Sequence, residues 1–300
     1  MKKKAIVIGG TCNDFIPMGV FVINVKNTNL GLVDEIIIFH DGILEEYQII
    51  FNKIFPCRFI YYSFPGYDPD IFNEYVNKYF TPMVFCRYEC LKLLNEYSVI
   101  MWSDYDVVIL KDLSELLEPC HSGIKLIKDD VLPQKQIKNT LLPSINEIGI
   151  QKYNLSKEAL SSAIIILYDS LNNYLEMYDW CIKTTKAFGR HLYLTELSIF
   201  NLLLQEFNIE VETVNASMYC PHPINGKINI ETKIMHAYGQ PKFWNGLKIK
   251  EWEDNYHEWL KIGGPRLKER SIFYKTKKII TFTLTSAFKK ALILYKRVIN

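Results

Sequence analysis

Apolar residues recur along this chain in short continuous runs, at residues 5–8, 35–39, 58–62, 99–102, 107–110, 163–167, 209–214 and 233–236. The runs are rich in Ile and Val and do not alternate strictly with polar residues, as expected of strands covered on both faces. Segments between them, among them 83–97 and 196–207, carry apolar positions at helical spacing. Strand and helix in alternation predict an α/β protein, with a mostly parallel mixed sheet and helices on both faces. Residues 125–157 are polar, broken by Pro133 and Pro143, and show no period. They predict a long loop over the sheet edge where ligands bind. No internal repeat is present.

Composition sharpens this picture. Three hundred residues with 49% hydrophobic content suffice for one large core with an appendage. The net charge of +2 conceals an asymmetry: residues 261–300 hold eleven Lys and Arg against Glu269, a net +10, which leaves −8 on the rest. A mildly acidic body argues against nucleic-acid binding and places the charged surface at the C-terminus. We therefore expect a main domain over 1–260 and a basic amphipathic helical tail over 261–300. Within residues 272–299, Phe273, Tyr274, Phe282, Phe288 and Tyr295 mix with seven Lys and Arg, and the longest uncharged stretch is residues 279–288. Ten residues are about half of what a membrane span needs. The pattern suits a helix lying on an anionic membrane surface, the alternative being an ordinary helix docked on the domain.

Seven cysteines are scattered, odd in number and without a CxxC pair, which points to a reduced compartment rather than a disulfide framework or zinc site. Lys2, Lys3 and Lys4 ahead of residues 5–8 outline a signal peptide. The apolar part is too short before Gly9-Gly10, so the segment predicts a first core strand and no export. The expected location is cytoplasmic, peripheral on the inner face of the cytoplasmic membrane.

Asp104-Tyr105-Asp106 carries the chemistry. Two carboxylates separated by one residue stand where one predicted strand ends and the next begins. In open α/β sheets ligands bind outside the carboxyl ends of the strands, and two acids side by side there call for a cation, a solvated turn between strands being the alternative. Asp68-Pro69-Asp70 has the same spacing, but its Pro and the preceding Pro65-Gly66 make it a turn and helix cap. His236 ends a later apolar run and completes an O,O,N set with Asp104 and Asp106, suited to Mn²⁺ and less well to Mg²⁺. Gly239 allows close backbone approach, and Lys242 offers a point charge for phosphate. Arg87 lies between Val84 and Leu91 on a predicted helix, so it points partly inward. A buried guanidinium needs a partner, either a diphosphate or donor sugar or a structural ion pair.

The segments Trp102-Ser103-Asp104-Tyr105-Asp106-Val107-Val108 and His236-Ala237-Tyr238-Gly239-Gln240-Pro241-Lys242-Phe243-Trp244 together resemble the retaining glycosyltransferases of family 8, which include glycogenin and bacterial lipopolysaccharide glycosyltransferases. The resemblance spans roughly residues 5–260 and implies a GT-A, Rossmann-like fold. It assigns Asp104, Asp106 and His236 to the metal bridging the diphosphate of a UDP-sugar, with Asp104 also on the ribose or sugar. Gly239 and Lys242 would hold the phosphates. Asn13 and Asp14 would bind uracil and ribose, and Phe15 would cover the base; a plain strand-to-helix turn is the alternative. Three departures mark this chain. Phe243 replaces the family's Pro before Trp, Ser161-Ser162-Ala163 stands for Asn-Ala-Gly, and Glu196-Leu197 stands for Asp-Gln. Ser161 is then the candidate sugar contact, a plain helix or strand terminus being the alternative, and Glu196 the acid near the anomeric centre.

The implied activity is metal-dependent, retaining transfer of a hexose, UDP-glucose or UDP-galactose favoured, to a saccharide or lipid-linked saccharide acceptor in bacterial surface polysaccharide synthesis. Asp104, Arg87 and Glu196 are the catalytic candidates. A non-catalytic relative that binds nucleotide-sugar or glycan is the alternative. A sugar nucleotidyltransferase would need a Gly-rich, basic N-terminal loop, which residues 5–17 do not supply.

Overall fold

The computed structural model describes residues 2–128, 135–224, 226 and 228–267. Among the described residues nine strands form: β1 (Lys3–Gly10), β2 (Glu35–His40), β3 (Cys57–Tyr61), β4 (Tyr97–Ser103), β5 (Val107–Ile109), β6 (Ile124–Lys128), β7 (Ser161–Tyr168), β8 (Glu212–Asn215) and β9 (Ile234–His236). Seven of them build one sheet in the order β3-β2-β1-β4-β7-β6-β8, while β5 and β9 pair separately. The β3-β2-β1-β4 half is parallel, and β7 runs antiparallel to both neighbours. This is the α/β, mostly parallel mixed sheet that the apolar runs predict.

Burial on both faces explains those runs. Val7, Ile37, Ile100 and Ile165 enter one core, and their neighbours Ile6, Ile36, Met101 and Ile166 enter the other. The first core is covered by helices Tyr174–Phe188 and Thr195–Glu206. The second is covered by helices Phe15–Asn29 and Lys250–Lys261. Helix Phe15–Asn29 has no polar face, with every residue from Ile16 to Val25 buried, because it lies between the sheet and helix Lys250–Lys261. A Cβ on Gly19 would stand 2.2 Å from Trp259, so the close helix approach requires glycine there. Packing continues past that helix, where Pro265 O accepts Trp259 Nε1–H at 3.0 Å and the Tyr256 hydroxyl accepts Leu267 N–H at 2.8 Å.

Two segments differ from expectation. Residues 83–97 are not one helix: a 3₁₀ helix (Pro82–Tyr88) leads into a short α-helix (Glu89–Leu93), and β4 begins at Tyr97. Four consecutive residues, Phe85 to Tyr88, are buried, which a surface α-helix with one apolar stripe does not do. Residues 125–128 belong to β6, not to a loop. Lys125 hides the strand in the sequence, yet it is buried, with Nζ donating to Glu118 O at 2.8 Å and paired with Glu212 at 3.2 Å. From residue 135 onward the segment folds as 3₁₀ turns that send Ile137, Leu141, Ile145 and Ile150 into the core. Asp68 does cap a turn, accepting Asp70 N–H at 2.9 Å. Of the expected C-terminal tail, residues 261–267 stay with the body, Lys261 ending helix Lys250–Lys261 and Pro265 and Leu267 packing on it, and residues 268–300 lie outside the described residues.

Candidate functional site

The order of the strands sets the place. From β1 the chain moves outward to β2 and β3, then returns to β4 on the other side, so the crevice at the carboxyl ends of β1 and β4 is the topological switch point. Asp104 follows β4 directly, and its N–H donates to Ala163 O at 3.0 Å. The chain then enters β5, whose antiparallel register with β9 sets Val107 opposite His236, and Ala237 N–H donates to Asp106 O at 2.9 Å. That pairing brings a residue from the end of the fold beside the two acids. Asn24, buried on helix Phe15–Asn29, fastens β5 from behind by bonding both backbone groups of Ile109, at 2.6 and 3.0 Å. Tyr105 stacks on Trp244 and packs against Gly10, where a Cβ would meet its ring at 2.9 Å.

Asp104, Asp106 and His236 each turn one ligand atom to a common point, all within 4.8 Å of one another. His236 Nε2 lies 3.1 Å from Asp106 Oδ1 and 3.6 Å from Asp104 Oδ2. Two carboxylate oxygens and an imidazole nitrogen fit a divalent cation of the Mn²⁺ or Mg²⁺ kind. Lys242 Nζ binds Asp106 Oδ2 and donates to Ala237 O at 2.9 Å, bringing a further positive charge. On the far side of His236, Nδ1 lies 3.2 Å from Cys220 Sγ.

The second half of the site is a buried ion-pair chain. Arg87, 7% exposed, lies 4.8 Å over the ring of Trp102 and places Nη2 3.1 Å from Asp104 Oδ1 and Nη1 2.9 Å from Glu196 Oε1. Nη1 also donates to Ser162 O at 2.9 Å and to its Oγ at 3.1 Å, and that hydroxyl donates to Glu196 Oε1 at 3.1 Å. Thr195 bonds Glu196 Oε2, and Trp102 Nε1–H donates to Asp104 Oδ1 at 3.2 Å.

These surroundings split the two aspartates. Burial pushes Asp104 above the usual carboxylate range, with Arg87 pulling down and Asp106 pushing up. Burial acts the same way on Asp106, but His236 and Lys242 overcome it and hold that carboxyl well below its ordinary range. Burial opposes charge on His236, yet Asp106 and Cys220 hold the imidazole well above 6.5.

The other sequence candidates fall around this centre. Residues Cys12–Asp14 form a 3₁₀ turn after β1. Asp14 closes it by accepting Thr11 N–H at 3.2 Å and Oγ1–H at 2.6 Å, and its charge, after burial, helps push the Tyr105 phenol well up. Asn13 is exposed. Phe15 stacks on Tyr47 at 4.2 Å and meets Trp259 edge-on, so its ring is engaged in packing. Gly239 takes φ +75 in the turn after β9, with open space where a Cβ would be. Ser161, half-buried, accepts Ala163 N–H at 3.3 Å, whereas Ser162 is the residue that joins Arg87 and Glu196. A register shift explains the exchange: Leu126 pairs Ile165 but Ile127 pairs Ser161, a bulge that re-aims the residues between. Sequence reading missed Ser162, Trp102 and Cys220; Ser162 adjoins Ser161 and Trp102 stands two residues before Asp104, whereas Cys220 carries no local signal.

No protein-family model and no curated protein sequence matches the chain. Solved structures do. The apo structure of the bifunctional glycosyltransferase WbbM aligns over 87% of this chain at 14% identity and TM-score 0.64, with 51% of that chain covered, so this chain spans about half its length. The galactosyltransferase LgtC, in complex with donor and acceptor sugar analogues, aligns over 86% of this chain and 99% of its own at 12% identity and TM-score 0.60. The glycosyltransferase GlyE of Streptococcus pneumoniae aligns over 90% of this chain and 66% of its own at 16% identity and TM-score 0.55. At these identities the likeness establishes the fold, which is GT-A-like.

Proposed function

We propose that this protein is a metal-dependent, retaining glycosyltransferase of the family 8 kind that moves a hexose from a UDP-sugar to a saccharide acceptor. One observation carries the reading: Asp104, Asp106 and His236, distant in sequence, converge at the switch point of a GT-A-like sheet with Lys242 beside them. A cation of the Mn²⁺ kind, once bound, supplies Lewis-acid stabilisation of the negative charge that develops on the leaving diphosphate. Asp104, Asp106 and His236 would hold it. Lys242, close enough to salt-bridge Asp106, supplies a second positive charge for the β-phosphate, and the Gly239 turn leaves room for backbone N–H groups to approach.

Arg87 ties Asp104 to Glu196 and so fixes a carboxylate beside the metal centre, where the anomeric carbon of a bound donor would lie. Residues 11–15 after β1 would bind the uridine, with Asn13 and Asp14 as its polar contacts. The basic residues 261–300 fit attachment to an anionic membrane, which favours a lipid-linked saccharide acceptor at the inner face of a bacterial cytoplasmic membrane and a role in surface polysaccharide synthesis.

A second reading, a non-catalytic relative that binds nucleotide-sugar, draws on Glu196 itself. Both of its oxygens are engaged, Oε1 by Arg87 and Ser162 and Oε2 by Thr195. A screen of UDP-glucose, UDP-galactose and their N-acetyl forms for Mn²⁺-dependent hydrolysis separates the two. Turnover of one donor that Asp104→Ala abolishes supports the enzyme; binding of UDP and Mn²⁺ with no turnover of any donor or transfer supports the second reading.

A further inference from the structure

His236 faces the two aspartates through Nε2, and its other nitrogen meets a thiol. Cys220 Sγ lies 3.2 Å from Nδ1. The backbone builds this contact. Cys220 closes the short helix Ala216–Tyr219, its N–H donating to Ala216 O at 2.8 Å. On one side of it Lys233 N–H donates to Met218 O at 2.8 Å, and on the other His236 N–H donates to Pro221 O at 3.1 Å. Cys220 is thus held between two backbone bridges, one from the residue before β9 and one from its last residue, and the ring it touches is buried.

An imidazole that ligates through Nε2 keeps its remaining proton on Nδ1. A partner that accepts that proton fixes both the tautomer and the plane of the ring. Such partners are usually carboxylates, backbone carbonyls or waters; here the position belongs to sulfur, a weak acceptor held in place by the fold.

We propose that Cys220 is a positioning residue of the metal centre: its sulfur accepts the Nδ1–H of His236 and holds the Nε2 lone pair toward the cation bound with Asp104 and Asp106. The inference rests on reading those three residues as a metal centre. Titration of the full chain with Mn²⁺ alone, followed by electron paramagnetic resonance, tests it without any turnover.

Cys220→Ala should weaken Mn²⁺ binding about 10-fold, the low end for losing a partner behind a ligating histidine. Cys220→Ser, whose hydroxyl accepts the same N–H, should stay within about threefold of wild type. Equal affinity in wild type and Cys220→Ala overturns the proposal. So does a serine variant as weak as the alanine one, because side-chain bulk rather than the hydrogen bond would then matter. A wild-type chain that binds no Mn²⁺ contradicts the metal centre itself, an outcome distinguishable because it appears before any variant is made. Long-range ¹H–¹⁵N spectra of the Mg²⁺-loaded wild type need no variant. They should show His236 protonated at Nδ1 alone, and a ring protonated at Nε2 overturns the proposal.

Discussion

Asp104 and Asp106 stand two residues apart, but their neighbours give them different work. Asp104 shares Arg87 with Glu196, and Asp106 is enclosed by His236 and Lys242. With His236 held protonated well above 6.5, its pairing with Asp106 stabilises the metal-free fold fully below that ordinary value and is lost as pH rises through the raised one. Metal must displace the Nε2 proton, so Mn²⁺ affinity should climb with pH over the same interval and binding should release a proton. Calorimetry in buffers of different ionisation enthalpy measures that release; pH-independent affinity with no proton release contradicts it. Arg87→Ala leaves Glu196 buried and Asp104 half-buried without their shared cation and should lower the unfolding free energy by about 3 kcal/mol in urea titration. Glu196→Gln should cut donor turnover about 100-fold while UDP affinity changes little, if that carboxylate acts at the anomeric centre.

Among elements, helix Phe15–Asn29 supports the site from behind. It packs on the sheet, receives Trp259 at Gly19, and clamps β5 through Asn24. Gly19→Ala should cost about 1–3 kcal/mol by overpacking, seen as a lower melting temperature, and Trp259→Leu in the same chain should recover part of the loss. The central strands were legible because uninterrupted Ile and Val leave few alternatives. β6 was not, because Lys125 breaks its run and its compensation by Glu118 O and Glu212 is tertiary. Asp104, Asp106 and His236 could be grouped from strand ends alone, while Ser162 depended on a bulge and Cys220 on two backbone bridges that no spacing announces.

At the scale of the molecule, parallel β3-β2-β1-β4 and the separate β5-β9 pair both contribute to the candidate metal site, Asp104 following β4, Asp106 preceding β5 and His236 ending β9. The charge is divided as well, with +10 in residues 261–300 and −8 in the rest. Deleting residues 271–300 should release the protein from vesicles of anionic lipid in a co-sedimentation assay, and unchanged sedimentation contradicts membrane attachment through the tail. The central claim is that Asp104, Asp106 and His236 form a cation site that receives a nucleoside diphosphate. Calorimetric titration of UDP into the full chain, with Mn²⁺ and then with EDTA, tests it most directly. The account predicts UDP binding that requires Mn²⁺ and is lost in Asp104→Asn; UDP binding of equal strength in EDTA and in that variant contradicts it.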